Sequence, residues 1–238
     1  MKNLVIVANY NQRVEIENYL LQVLKEVPLE NVVIVDDGST DGSKETAQRL
    51  GFKVIAHTKN MGIGAAIRSG LKYAIENKFE GVLISSSNGK MVPSQFPRIL
   101  NELDQGPYTY LQGSRFIKNG ESLQLPLFRK LTIPGLSFLW SLLLGTKMTD
   151  ITCGLRAYKV SLLVDPRIKL DQDWLNRYEL EYYLHIKFLR DLKVPMKEVP
   201  VAIRYNHLER ARRSKIKPFS GWWSMARPFV FLFFRIKD

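Results

Sequence analysis

Several side chains in this sequence have the type and position to hold a nucleotide. The run Ala8-Asn9-Tyr10-Asn11-Gln12 closes an apolar stretch, and Tyr10 offers a flat face on which a nucleobase can stack. Asp36-Asp37-Gly38-Ser39-Thr40-Asp41-Gly42 closes a second apolar stretch. An acid there can accept hydrogen bonds from a base N–H or from ribose hydroxyls. Each segment also has a plainer reading. Tyr10 alone could be a packed loop aromatic, and Ser39 or Asp41 could simply cap a helix in a turn-forming stretch. Gly62-Ile63-Gly64 before a helix has the outline of a dinucleotide fingerprint. The third glycine is replaced by Ile67, and the pair follows the third strand rather than the first, which argues against an oxidoreductase. His57, His185 and His207 lack metal-ligand spacing, and the one cysteine, Cys153, excludes an internal disulfide and a cysteine-rich zinc site.

These residues need a scaffold, and 238 residues with 45% hydrophobic content can bury a full core. The first half alternates strand and helix signals. Strands are expected at Leu4–Ala8, Asn31–Val35, Phe52–Ala56 and Gly81–Ser85, with helices over 13–26, 43–50 and 63–77 between them. Short apolar strands alternating with helices imply an α/β fold with a mostly parallel central sheet flanked by helices, and ligands of such sheets sit beyond the carboxyl ends of the strands. The second half is less regular. Strands are expected at 108–113 and 199–205, and helices over 126–144 and 173–191. The chain reads as one domain, 1–205, followed by a basic, aromatic extension, 206–238.

Taken together, VIVANYNQ, VIVDDGSTDGS and Asn60-Met61-Gly62-Ile63-Gly64-Ala65-Ala66 resemble the opening of the family 2 glycosyltransferases of the GT-A fold. The resemblance narrows downstream. Gly113-Ser114-Arg115-Phe116, Arg129, the stretch Asp150-Ile151-Thr152-Cys153-Gly154-Leu155-Arg156-Ala157-Tyr158, and Val199-Pro200 through Arg213-Ser214-Lys215 are similar to the polyprenyl-phosphate sugar synthases. It covers roughly residues 3–217. It implies an inverting enzyme that moves a hexose from a UDP- or GDP-sugar to an acceptor, with a polyprenyl phosphate favoured over a glycan or another lipid. Ala8, Tyr10, Asn11, Gln12, Asp36, Asp37, Asn60 and Gly62 would line the nucleotide pocket, with Asp37 facing base and ribose. A phosphate acceptor brings its own oxyanion and needs little general-base help, but it does need cations to hold it and to steady the departing diphosphate. Lys90, Arg115 and Arg129 are the candidates for this catalytic role. Ser86, Asn88, Asp150, Glu181, Arg213 and Lys215 are candidates for the diphosphate, sugar or acceptor.

The sequence departs from the family where a metal would bind. The family carries Asp-x-Asp after the fourth strand, holding Mg²⁺ or Mn²⁺ against the diphosphate. Here Ser86 and Asn88 take those positions and Lys90 takes that of a glutamine. Hydroxyl and amide oxygens are poor ligands for hard divalent cations. Three readings stay open: Lys90 replaces the metal, a metal binds weakly through Asn88 and Asp150, or the protein binds a sugar nucleotide without catalysis. Ala8 for proline, Gln12 for glutamate and Arg212 for glycine are lesser departures.

The net charge of +12, concentrated in 202–217, attracts anions. No nucleic-acid-binding motif accompanies it, so no nucleic-acid partner is expected. No export signal is read at the N-terminus, and no apolar run reaches the ~18 residues of a membrane span. Aromatic residues among basic ones after 215, with the apolar stretch 133–144, suit peripheral contact with a membrane's cytoplasmic face.

Overall fold

The computed structural model describes residues 2–205 and 220–237. A seven-stranded sheet forms the centre, in the order β3-β2-β1-β4-β7-β5-β8. Its strands are β1 (Asn3–Asn9), β2 (Val32–Asp36), β3 (Lys53–Ala56), β4 (Gly81–Ser86), β5 (Tyr110–Ser114), β7 (Arg156–Lys159) and β8 (Met196–Pro200). All run parallel except β7, which lies antiparallel to both β4 and β5. A small second sheet pairs β6 (Glu121–Leu123) with β9 (Ala202–Arg204). The α/β, mostly parallel architecture expected from the alternating pattern is the one observed.

The unbroken apolar strands are explained by burial on both faces. Leu4, Ile6 and Ala8 of β1 enter one core, while Val5 and Val7 enter the other. β2 divides in the same way, with Val33 and Val35 on one face and Val32 and Ile34 on the other. The second face is covered by α1 (Arg13–Leu24), α2 (Ser43–Arg49) and α4 (Phe96–Gln105). The first is covered by α3 (Ile63–Glu76), α5 (Leu127–Leu144), α6 (Glu179–Ile186) and α7 (Ser220–Phe233). Gly70 lets α3 sit close to the sheet, since a Cβ there would lie 2.4 Å from Ile6 Cγ2.

The second half departs most from expectation. The single helix over 173–191 is a short turn at Asp173–Leu175, then α6, then a wider turn at Lys187–Asp191. The strand over 199–205 is two strands, because the chain leaves β8 at Pro200 and joins the small sheet at Ala202. α4 and β7 are additions. β7 has only four residues, two of them basic, so it carries no apolar signal of its own.

α5 corrects the expectation that no segment is long and apolar enough to span a membrane. By length and composition alone this 18-residue helix is, and 22% of it is buried. In the sequence, Arg129, Lys130 and Pro134 interrupt the apolar run that the helix assembles. Its buried residues are Ile133, Ser137, Trp140 and Leu144, a narrow stripe against the domain. α7 packs on α6 and α5: Leu232 is buried, Phe229 meets Trp140, and Arg227 pairs with Glu179.

Candidate functional site

Register places the expected residues along one edge of the sheet. Asn9 at the end of β1 pairs with Asp36 of β2, and Ala8 pairs with Ser86 of β4. Beyond those pairs, the Asp37 N–H donates to the Asn9 carbonyl at 2.9 Å and the Ser87 N–H to the Ala8 carbonyl at 3.1 Å. Tyr10, Asp37 and the turn 86–90 therefore leave neighbouring strands side by side. Asn11 has φ +50 and accepts the Thr40 N–H through Oδ1 at 2.9 Å, while its own N–H reaches Ser39 Oγ at 3.0 Å. The Gln12 amide donates to the Tyr10 carbonyl at 3.3 Å. Gly38 has φ +71, and a Cβ there would come within 2.5 Å of the Lys59 carbonyl carbon, so only glycine lets the two loops meet.

Asn9 holds this edge together. Its amide donates to Asp36 Oδ1 at 2.7 Å, Ser43 Oγ at 2.9 Å and Ser39 Oγ at 3.2 Å, and its oxygen accepts from Ser87 Oγ at 2.6 Å. The second oxygen of Asp36 accepts the Ser39 N–H at 2.9 Å.

Asp37 differs from expectation. It is 3% exposed. Its Oδ1 accepts the Met61 N–H and meets His57 Nδ1, each at 2.8 Å, and its Oδ2 accepts the Gly62 N–H at 2.8 Å. The far ring nitrogen of His57 meets Ser69 Oγ of α3 at 2.9 Å. The carboxylate expected to face a base and ribose thus pins the Asn60–Gly62 loop. Asn60 itself is exposed.

The end of β4 and the turn after it hold Ser86, Asn88 and Lys90, all half-buried. Asn88 Oδ1 accepts the Lys90 N–H at 3.1 Å, and the Lys90 carbonyl accepts the Arg204 N–H at 2.9 Å. The Lys90 ammonium lies 5.7 Å from the centre of the Tyr205 ring. The Tyr205 hydroxyl in turn receives a hydrogen bond from Arg115.

Arg115 and Asp150 form a buried pair, not an open cation and an open acid. Arg115 donates to Asp150 through Nε at 2.6 Å and through NH2 at 2.7 Å, and Thr152 Oγ1 takes a further bond at 2.7 Å. Both Asp150 oxygens face Arg115, so neither residue is placed to grip a diphosphate or a metal as expected. Glu181 likewise meets Arg156 at 2.7 Å. Burial pushes the Glu181 carboxyl above its usual range, and the Arg156 charge opposes that rise. Burial also raises the Cys153 thiol to about 12, which leaves it an unreactive core residue. Arg129, in the first turn of α5, is half-buried, and its side chain has no ion-pair or hydrogen-bond partner among the described residues. Its charge is felt at Tyr178 and at Tyr205, where it opposes the rise that burial imposes on each hydroxyl. Arg213 and Lys215 lie outside the described residues.

Sequence reading missed Asn9, His57, Tyr205 and Arg156. His57 had a usable signal, since it follows β3 directly and so shares the edge with Asp37. The others depend on register and on the insertion of β7, which residue spacing does not reveal.

Comparison with known proteins bears on the whole assembly. Residues 4–165 match glycosyl transferase family 2. The chain is 29% identical over 228 residues to a UDP-N-acetylglucosamine–dolichyl-phosphate N-acetylglucosaminyltransferase of Methanococcus voltae, covering 89% of each chain. It is 29% identical over 168 residues to an undecaprenyl-phosphate mannosyltransferase of Micrococcus luteus, covering 68% of each. Among solved structures, glucosyl-3-phosphoglycerate synthase of Mycobacterium tuberculosis, in complex with Mn²⁺, UDP and glucosyl-3-phosphoglycerate, superposes with a TM-score of 0.69. That match has 17% identity and covers 98% of this chain and 79% of the other. It establishes the GT-A fold here.

The donor set of the turn after β4 does not fit a divalent cation. Protein sites for hard divalent cations are usually anchored by one or more carboxylates. The turn supplies Ser86, an Asn88 oxygen already bonded to the main chain, and a lysine, while Asp150 is closed by Arg115. Among the described residues no group of three or more His, Cys, Asp or Glu is placed to hold a metal.

Proposed function

Since the chain belongs to glycosyl transferase family 2, we propose that it moves a hexose from a UDP- or GDP-sugar to the phosphate of a polyprenyl phosphate, with inversion, at a membrane surface. One observation carries the reading: Tyr10, the Asn60–Gly62 loop and the turn 86–90 converge on one edge of the sheet, where a nucleoside diphosphate can lie across the ends of β1, β2 and β4.

In this reading Tyr10 stacks on the base, and the Asn11–Thr40 and Asp37–Gly62 contacts keep the pocket walls rigid. The acceptor phosphate oxygen attacks C1 of the sugar from the face opposite the diphosphate. As the new C1–O bond forms, the bond from C1 to the β-phosphate oxygen breaks and its electron pair stays on the departing diphosphate. The attacking oxygen is already an anion, so no proton has to be removed.

The acceptor side is supported by α5. Leu127 and Leu131 are 70% and 69% exposed, and Phe128, Phe138 and Leu142 are also exposed. An apolar face of this extent rimmed by cations suits the headgroup boundary. Arg129 sits in the first turn of that helix, so an isoprenoid on α5 would bring its phosphate to Arg129. Two relatives named for transfer to dolichyl and undecaprenyl phosphate support the same acceptor class.

The test is transfer of label from UDP-glucose, UDP-N-acetylglucosamine or GDP-mannose to a short polyprenyl phosphate in detergent. Lipid-linked label of opposite anomeric configuration to the donor is expected with at least one donor. Donor binding without product, across donors and acceptors, would contradict the reading.

A further inference from the structure

We infer that the Lys90 ammonium stands in for the divalent cation at the donor's diphosphate, so that this chain works without metal. The inference rests on the donor class proposed above. Three features carry it.

The first is chemical. Where a metal would need carboxylates, the turn after β4 offers a hydroxyl, an engaged amide and a primary ammonium. One carboxylate borders the turn: a Cβ on Gly89 would lie 2.9 Å from Glu15 Oε2. A divalent cation there would rely on that one acid and on the nucleotide's own phosphates. A lysine, by contrast, is a compact point charge that binds phosphate directly.

The second is positional. Lys90 leaves the main chain from a fixed point, because its N–H is held by Asn88 and its carbonyl by the Arg204 N–H, at 3.1 and 2.9 Å. Gly89, at φ +69, sets the turn that presents it. The Tyr205 ring attracts the ammonium from 5.7 Å, and the Arg115 hydrogen bond to the hydroxyl orients that ring. The Arg115–Asp150 pair, though withdrawn from the ligand, thereby helps place Lys90.

The third is the charge that has to be met. When the C1–O bond breaks, the electron pair left on the β-phosphate oxygen adds one negative charge to the diphosphate. Lys90 meets that charge from the end of β4.

The experiment measures UDP and GDP binding by calorimetry, in EDTA and in Mn²⁺, together with Mn²⁺ uptake by electron paramagnetic resonance. The proteins are wild type, Lys90→Ala, Lys90→Arg and the triple variant Ser86→Asp/Asn88→Asp/Lys90→Gln, each checked for native circular dichroism. Wild type is expected to bind UDP or GDP equally in EDTA and in Mn²⁺. Lys90→Ala weakens that binding about ten- to hundredfold, and Lys90→Arg restores part of it. The triple variant takes up Mn²⁺ and loses its binding in EDTA. Loss of wild-type binding in EDTA, or an unchanged affinity in Lys90→Ala, overturns the inference and leaves the donor proposal standing. Failure of wild type to bind either nucleotide with or without metal overturns both.

Discussion

At the carboxyl ends of β1, β2 and β4, polar side chains are held by neutral amides, hydroxyls and main-chain N–H groups, as Asn9 and Asp36 show. Beyond β5 and β7 they are held by opposite charges: Arg115 by Asp150, Arg156 by Glu181, and Arg227 by Glu179. The first region is an edge where loops are tied to one another by uncharged hydrogen-bond partners. The second is a scaffold whose cations are spent internally. A basic side chain in a family-like motif is therefore no guide to ligand contact, because its charge is available only if no buried acid has claimed it.

The contrast predicts unequal responses to mutation. The largest belongs to the charged region. Asp150→Ala leaves Arg115 buried and unpaired, at a cost of about 3–5 kcal/mol, which lowers Tm by on the order of 10 °C in thermal melting. An unchanged Tm would break the contrast. Gly38→Ala, at the ends of β1 and β2, forces a Cβ against Lys59 at positive φ and should cost roughly 2–3 kcal/mol by denaturant titration. Asp37→Asn keeps the shape of the side chain but cannot accept all the hydrogen bonds now made. It should cost about 1–3 kcal/mol and speed amide exchange at Met61 and Gly62, an effect confined to that loop.

A pH effect sharpens the comparison on the charged side. Burial and the Arg156 charge hold His185 well below its usual range, so it is neutral in the fold and bonded to the Tyr110 hydroxyl at 2.8 Å. The unfolded chain binds a proton there more readily, so this residue's contribution is intact above the unfolded pKa of about 6.5 and falls by up to about 1.4 kcal/mol per pH unit below it. Stability curves of wild type and His185→Gln should converge as pH drops; parallel curves would refute the assignment. The smallest expected effect on stability is at the exposed face of α5. Leu131→Ser should move stability by less than about 0.5 kcal/mol yet reduce co-sedimentation with anionic vesicles.

The β1–β4 half was legible in the sequence because its signals are local. Apolar runs such as Leu4–Ala8 read as buried strands, and the stretch after Val35 reads as turn-forming, where Gly38 has positive φ. The charged half was less legible for a physical reason. β7 is four residues recruited by its neighbours, and Arg115 meets Asp150 across 35 positions. Such pairings arise from topology, so motif likeness alone assigned Arg115 and Asp150 to ligand contact when burial assigns them to each other. Asp37 teaches the same at smaller scale: its position at the strand end was legible, but its bonds to Met61 and Gly62 were not.

Hydrogen exchange of the full chain with and without saturating UDP- or GDP-sugar tests the placement of the donor most directly. The account predicts slowed exchange in the peptides spanning 8–12, 59–62 and 86–90, with 110–114 and 156–159 unchanged. Protection centred on β5 and β7, with the β1 and β4 ends unaffected, would contradict it.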